Sequence, residues 1–306
     1  MAVREIPRVG TERIHTYHGE ADLLEMKVKE PFHEKVRPQA KVELYGGGER
    51  SHYHFKHSGP FRVEGIASYQ SGYTQVAGAR SLKHERRFST LVTSVVEGLN
   101  ILDVLTADRV VAQISTAHPI DGAVPEVSFL GTRFENLRIA GHKVDLDTNL
   151  DILGPRPVKD TSYFDNQTVM DNMARQFENL VTHENCPDWA EERYERDDEK
   201  WRTTNRDTRA DVAKCSLVNR VDSKLSFGHV IDVPHFGKFF LGELTMKREP
   251  AKNPREYYDA YTFHLTMVRM ELGCATSSTG GATEAGTNGT GGKGSGGGTT
   301  TQPPGN

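Results

Sequence analysis

The sequence predicts a mainly β protein: an antiparallel sandwich or jelly-roll-like body, with a helical insertion and a disordered C-terminal tail. Three observations lead there. Short, β-branched segments recur at roughly ten-residue spacing, divided by Gly, Pro and Asn turn signals. One central stretch switches to helical spacing. The chain ends in residues with almost nothing to bury.

Residues 1–37 are polar and show no clear period. The β domain is expected over 38–155 and 210–273. Its first strands are Lys41–Tyr45 and Ser51–His57, and the glycines between them suit a turn at positive φ. "SGPFRVEGIASY" follows, with Ser58-Gly59-Pro60 as the break. "RRFSTLVTSVVEGLNIL" and "LTADRVVAQIST" are rich in Val, Thr, Leu and Ile, as strands require. Phe134, Leu137 and Ile139 then face Val144, Leu146 and Leu150 across Ala140-Gly141-His142, a hairpin pattern.

The insertion is expected over 156–209. Val169, Met173, Phe177, Leu180 and Val181 form a one-sided stripe at helical spacing, with Asp165 as a candidate cap. Pro187 suits the first turn of a second helix, "PDWAEERYERDDEKWR". Its dense, mixed charges read as a solvated face, with Trp189, Tyr194 and Trp201 anchoring it to the body. Strand signals return in "ADVAKCSLVNRV", in "FGHVIDVPHFGKFFLGELTMKR" broken at Pro234, and in "YTFHLTMVRMEL". Residues 274–306 hold 11 of the 29 glycines and no aromatic, so they read as a flexible tether.

Composition bounds the function. The 306 residues are 36% hydrophobic and 26% charged, with a formal net charge of -4 and a pI near 6.4. That balance asks for no nucleic acid, and the basic cluster Arg80 to Arg87 is too short to change this. No apolar run is long enough for a membrane-spanning helix. The start lacks the apolar core of a signal peptide, which makes the cytoplasm the default compartment. Cys186, Cys215 and Cys274 are far apart and form no CxxC pair, so neither a zinc site nor a disulfide framework is expected. There is no GxSxG elbow, P-loop or strand-linked GxGxxG.

The densest chemical signal is "SHYHFKHS". On a strand, His52 and His54 share a face, about 7 Å apart, while His57 has the opposite parity and needs a bulge to join them. Gly46 followed by His52 and His54 resembles the opening of the cupin metal motif. Ser58 and Gly59 stand where its glutamate belongs, and His235 is off its later spacing. The metal candidates are therefore His52, His54 and His57, with a divalent transition metal as the alternative to no cofactor. His15 and His18 form a weaker pair. Asp145, Asp147, Asn149 and Asp151 resemble half a calcium loop, but Leu150 occupies the glycine position.

"SVVEGLNILDVLTADRVVAQIS", "FLGTRFENLRIAGHKVDLD", "VPHFGKFFLGEL" and "LTMVRMELGC" resemble uncharacterised bacterial β-rich proteins similar to the choice-of-anchor P group. The resemblance covers about 88–150 and 226–274, and its motifs are packing and turn positions. It implies an exported, surface-associated protein and supplies no catalytic residue.

The leading functional expectation is a non-catalytic structural or binding β domain, with homo-oligomer formation through sheet edges. The alternatives are a cupin-like metalloenzyme and a carbohydrate- or peptide-binding module using Tyr53, Tyr69 and Tyr73.

Overall fold

The early strands, in chain order, are β1 (Ile14–Val28), β2 (Glu34–Val36), β3 (Val42–Gly47), β4 (His52–Ser58), β5 (Phe61–Val63), β6 (Ala67–Tyr69) and β7 (Ser71–Ser81). Then come β8 (Arg87–Ile101), β9 (Leu105–Pro119), β10 (Glu126–Ser128), β11 (Arg133–Glu135), β12 (Arg138–Ile139), β13 (His142–Lys143) and β14 (Leu146–Thr148). The helices α1 (Gln167–Val181) and α2 (Asp188–Tyr194) interrupt them. The later strands are β15 (Arg202–Thr204), β16 (Asp211–Ser216), β17 (Val218–Val221), β18 (Ser226–Phe227), β19 (Val230–Val233), β20 (Gly237–Glu249), β21 (Ala260–Gly273) and β22 (Ser277–Gly292). This computed structural model describes residues 14–28, 34–47, 51–63, 65–81, 87–119, 124–158, 161–184, 186–194, 202–204, 210–249, 260–273 and 277–292.

All strand pairs among the described residues are antiparallel. The first large sheet runs β15-β16-β20-β21-β22-β1-β2, with β3 also on β1 and β19 also on β20. The second runs β13-β12-β9-β8-β6-β5, with β7 also on β8 and β4 on β7. A small third sheet pairs β14 with β17. The two large sheets lie face to face, β1 and β22 over β7, β8 and β9. Their inner faces share one apolar core, in which Leu23, Val76, Val92, Val110, Ile114 and Leu265 are buried. The molecule is thus a mainly β, layered antiparallel body, with the helices α1 and α2 inserted between early and late strands.

Several local expectations change. The polar N-terminal segment contains β1, which buries Tyr17, Leu23, Leu24, Met26 and Val28. Apart from the buried Asp22, its buried positions are odd up to Leu23 and even from Leu24, so no single period runs through it. β3 and β4 do not pair with each other: β3 pairs with β1 in the first sheet and β4 with β7 in the second. The hairpin near residue 140 is tighter than expected. β12 and β13 meet at Ala140 (φ 48°) and Gly141 (φ 81°), the paired left-handed residues of a two-residue turn, while Leu146 in β14 turns away to Val221. Trp201 and residues 195–200 lie outside the described residues.

Ser277–Gly292 is a strand. β22 sits inside the first sheet, paired along one edge with β21 and along the other with β1. A segment without large apolar side chains still carries a full set of backbone donors and acceptors, and its two neighbours take them up. The expectation of a disordered tail over 274–306 therefore does not extend to these residues. Residues 274–276 and 293–306 lie outside the described residues.

The long strands also shift phase midway. In β20, Phe239 and Leu241 face the core on one side of Gly242, and Leu244 and Met246 on the other. Gly242 has φ 62°, and its ladder position is skipped between Leu241 and Glu243. The shift turns Phe240 to the outer face, where it joins Leu180, Ala190, Phe227 and Val230 in a second, smaller core beneath the helices.

Candidate functional site: a cavity under the helical insertion

α1 starts where Asn166 Oδ1 accepts hydrogen bonds from the amides of Thr168 (3.1 Å) and Val169 (3.5 Å). The cap is Asn166 rather than the expected Asp165. Val169, Met173, Phe177 and Leu180 are buried, as the stripe predicts. Gln176 fixes the helix against the end of β16: its Nε2 donates to Ser216 O (2.8 Å), and Ser216 N donates to its Oε1 (2.7 Å). α2 is fastened by Trp189, whose Nε1 donates to Asp232 Oδ2 (2.9 Å) and whose ring carries Lys238 Nζ at 3.6 Å.

Between these helices and the outer face of the first sheet lies a cavity of about 730 Å³. Lys214 of β16, Glu243 and Thr245 of β20, and His264, Thr266 and Arg269 of β21 line its sheet side. Phe177, Arg193 and Tyr194 line its helical side, and His229, in the turn between β18 and β19, also borders it.

A ladder of charges runs along the wall. Arg269 grips Glu243 through two nitrogens, Nη2 donating to Oε1 at 2.9 Å and Nε to Oε2. Arg269 Nη1 also donates to Glu271, and Arg193 Nη1 reaches both oxygens of Glu271 at 3.2 and 3.3 Å. Both guanidinium groups stand near the Phe240 ring, at 3.8 Å for Arg269 and 4.6 Å for Arg193. Burial alone would raise the Glu243 pKa. The Arg269 hydrogen bonds and charge, with His229 and Arg193 adding, hold it below the usual carboxylate range.

His229 is only 2% exposed. Burial lowers its pKa to about 4; Glu243 pulls upward, while Arg269 and Arg193 push further down. The ring is therefore uncharged at neutral pH. Its Nδ1 has no hydrogen-bond partner among the described residues, and solvent does not reach it. The same holds for the Tyr194 hydroxyl. Burial also raises the Tyr194 pKa, so the phenol stays protonated. Cys215 is chemically quiet, because complete burial pushes its thiol pKa far up.

The residues singled out by sequence lie elsewhere. His52, His54 and His57 follow one another along β4, opposite Gly78, Val76 and Tyr73 of β7. His54 and His57 are exposed, while His52 packs its ring 5.8 Å from that of Tyr17. They do not converge: strand alternation turns His57 away, and no group of three His, Cys, Asp or Glu suited to a metal exists among the described residues. His18 is half-buried in β1, and burial lowers its pKa. Only the backbone of His15 is described. His235 is exposed in the turn before β20, with φ 68°. Asp145, Asp147 and Asp151 are exposed, and Asn149 Oδ1 accepts from Asp151 N (3.1 Å), which is turn chemistry. Tyr53 is exposed, Tyr73 stacks on Phe55, and Tyr69 is buried, 2.8 Å from Ser58 Oγ.

Sequence reasoning passed over His229, Glu243 and Arg269, and took Arg193 as part of a solvated face. One signal was present: "FGHVIDV" sets a histidine directly before an apolar run.

No helix among the described residues is long and apolar enough to cross a membrane. No curated protein and no solved structure matches the chain. Residues 15–247, most of its length, match the family model described as a domain of unknown function (DUF8256), and the chain belongs to that family.

Proposed function

We propose that the chain is a non-catalytic binding domain that holds a small molecule between its helical insertion and the first sheet. One observation carries the reading: a fully buried, uncharged imidazole borders the cavity with its Nδ1 unsatisfied and sealed from water. Such an atom costs about 1–3 kcal/mol, and a ligand whose binding shifts the side chains that cover it would relieve that cost. The volume falls in the ordinary range for small-molecule sites. Against catalysis, Glu243 is occupied by Arg269 and the Cys215 thiol is held protonated. The test is ligand-detected NMR with a mixed fragment library, repeated on His229→Phe. Fragments that bind the native chain and lose their signal in the variant support the reading. A library without a single hit that depends on His229 refutes it.

A second reading, self-association, rests on β4. Among the described residues it is paired on one side only, and it presents Tyr53 (61% exposed) and Phe55 (49% exposed). Light scattering across a concentration series tests it, and a constant monomer mass removes it.

A further inference from the structure

We infer that the cavity takes a small aromatic acid, its single carboxylate seated at Lys214 on the sheet and its ring against the helices; this rests on the binding reading above.

The charges of β16, β20 and β21 set the sign of the ligand. Among the described residues, each carboxylate of these strands already has a cation. Asp211 accepts from Arg248, Glu249 pairs with Lys247, Glu243 accepts from Arg269, and Glu271 accepts from Arg269 and Arg193. The Lys238 ammonium stands over the Trp189 ring. Lys214 is left over. It borders the cavity, is exposed, and meets no carboxylate or aromatic ring among the described residues. A cationic ligand would add to an excess of positive charge on this wall. One carboxylate supplies the missing partner, as a charge-assisted hydrogen bond. A second carboxylate would have to break a pair already made.

Strand register builds the seat around the lysine. Lys214 of β16 pairs with Thr245 of β20, and Thr245 pairs with His264 of β21. Directly opposed residues share one face of a sheet, with Cβ atoms about 5 Å apart. All three border the cavity. The row therefore sets a hydroxyl donor beside the ammonium, within the span of one carboxylate group. His264 closes the row, its Nε2 3.3 Å from the Thr266 hydroxyl.

The opposite wall suits a ring. Phe177 and Tyr194 border the cavity from the helical side, with ring centroids 5.4 Å apart. Aromatic surface of this kind takes another ring edge to face or offset. The volume of about 730 Å³ accommodates ring and carboxylate together.

The experiment is calorimetric titration of the intact chain with benzoate, cinnamate, naphthoate and indole acetate. Each is set beside its neutral primary amide and an amine of the same skeleton, and acetate supplies the carboxylate without a ring. The titrations are repeated on Lys214→Met and Lys214→Arg, with melting curves to confirm that both variants fold. The expected result is that at least one ring acid binds about fivefold or more tighter than its amide, while acetate binds far more weakly. Lys214→Met should abolish that margin and Lys214→Arg should keep it. Amides or amines that bind as tightly as the acids overturn the ligand class. Acid binding unchanged by Lys214→Met overturns the seat, and acetate binding as tightly as the ring acids overturns the contact with the helices. Fragment hits dependent on His229, without binding of any of the acids, overturn the acid and leave the binding reading standing. A chain that binds neither acids nor fragments removes both.

Discussion

Tyr194 and His229 meet edge to face, ring centroids 6.2 Å apart, each with a polar atom that neither protein nor solvent satisfies. Two helices and a turn are thus packed over groups that would be better paired. Such a contact weakens the folded protein.

The first prediction concerns pH. His229 has a folded pKa near 4, against an ordinary 6.5. Between these values the unfolded chain binds the proton more readily, so stability rises with pH across that window. The contribution is complete above 6.5 and is lost as pH falls toward 4. The gap corresponds to about 3 kcal/mol. Urea midpoints should climb through the window in the native chain and climb less in His229→Phe. Equal slopes in the two proteins would count against the buried neutral ring.

The second concerns the charge ladder. Arg269→Met leaves Glu243 and Glu271 short of their shared partner, both only partly exposed. A loss of about 2–3 kcal/mol is expected, less than for a fully buried pair because solvent screens part of the charge. Arg269→Met combined with Glu243→Gln should recover part of it. Denaturant melts of Arg269→Met, of Glu243→Gln and of the double variant decide the point: a double variant worse than the sum of its parts contradicts the pairing.

The third concerns thiols. Cys215 is 4% exposed and its thiol is held protonated by burial, whereas Cys186 is half-buried. Alkylation followed by mass spectrometry should modify Cys186 in the native protein and Cys215 only on global unfolding. Comparable native rates at both would mean that β16 does not bury Cys215.

The fourth concerns Gly242. Its φ of 62° is unfavourable for any residue with a Cβ, and an added Cβ would lie 3.2 Å from Val218 Cγ2. Gly242→Ala should cost about 1–2 kcal/mol, read as a lower melting temperature. An unchanged melting temperature would show that the strand passes this point without the left-handed turn.

Much of the body was legible in the sequence. β8 and β9 stood out because β-branched residues fill both, and α1 because its stripe fits 3.6 residues per turn. β1 was hidden by the change of parity at Leu23 and Leu24, and β22 by side chains that carry no apolar signal. The site was illegible for a different reason. Arg193, His229, Glu243 and Arg269 come from four separate segments, brought together by the β20–β21 register and the fold-back of α2. The histidines of β4 looked like a site because they are close in sequence, yet closeness along a strand divides side chains between two faces.

Gly242 gives β20 two allegiances. Below it the strand hands Phe240 outward to the helices; above it Leu244 and Met246 turn inward, and Glu243 is left facing the hollow. The interior that holds the molecule together and the chamber that would receive a guest are therefore built from one continuous ribbon. Any distortion at this hinge of orientation would reach both at once.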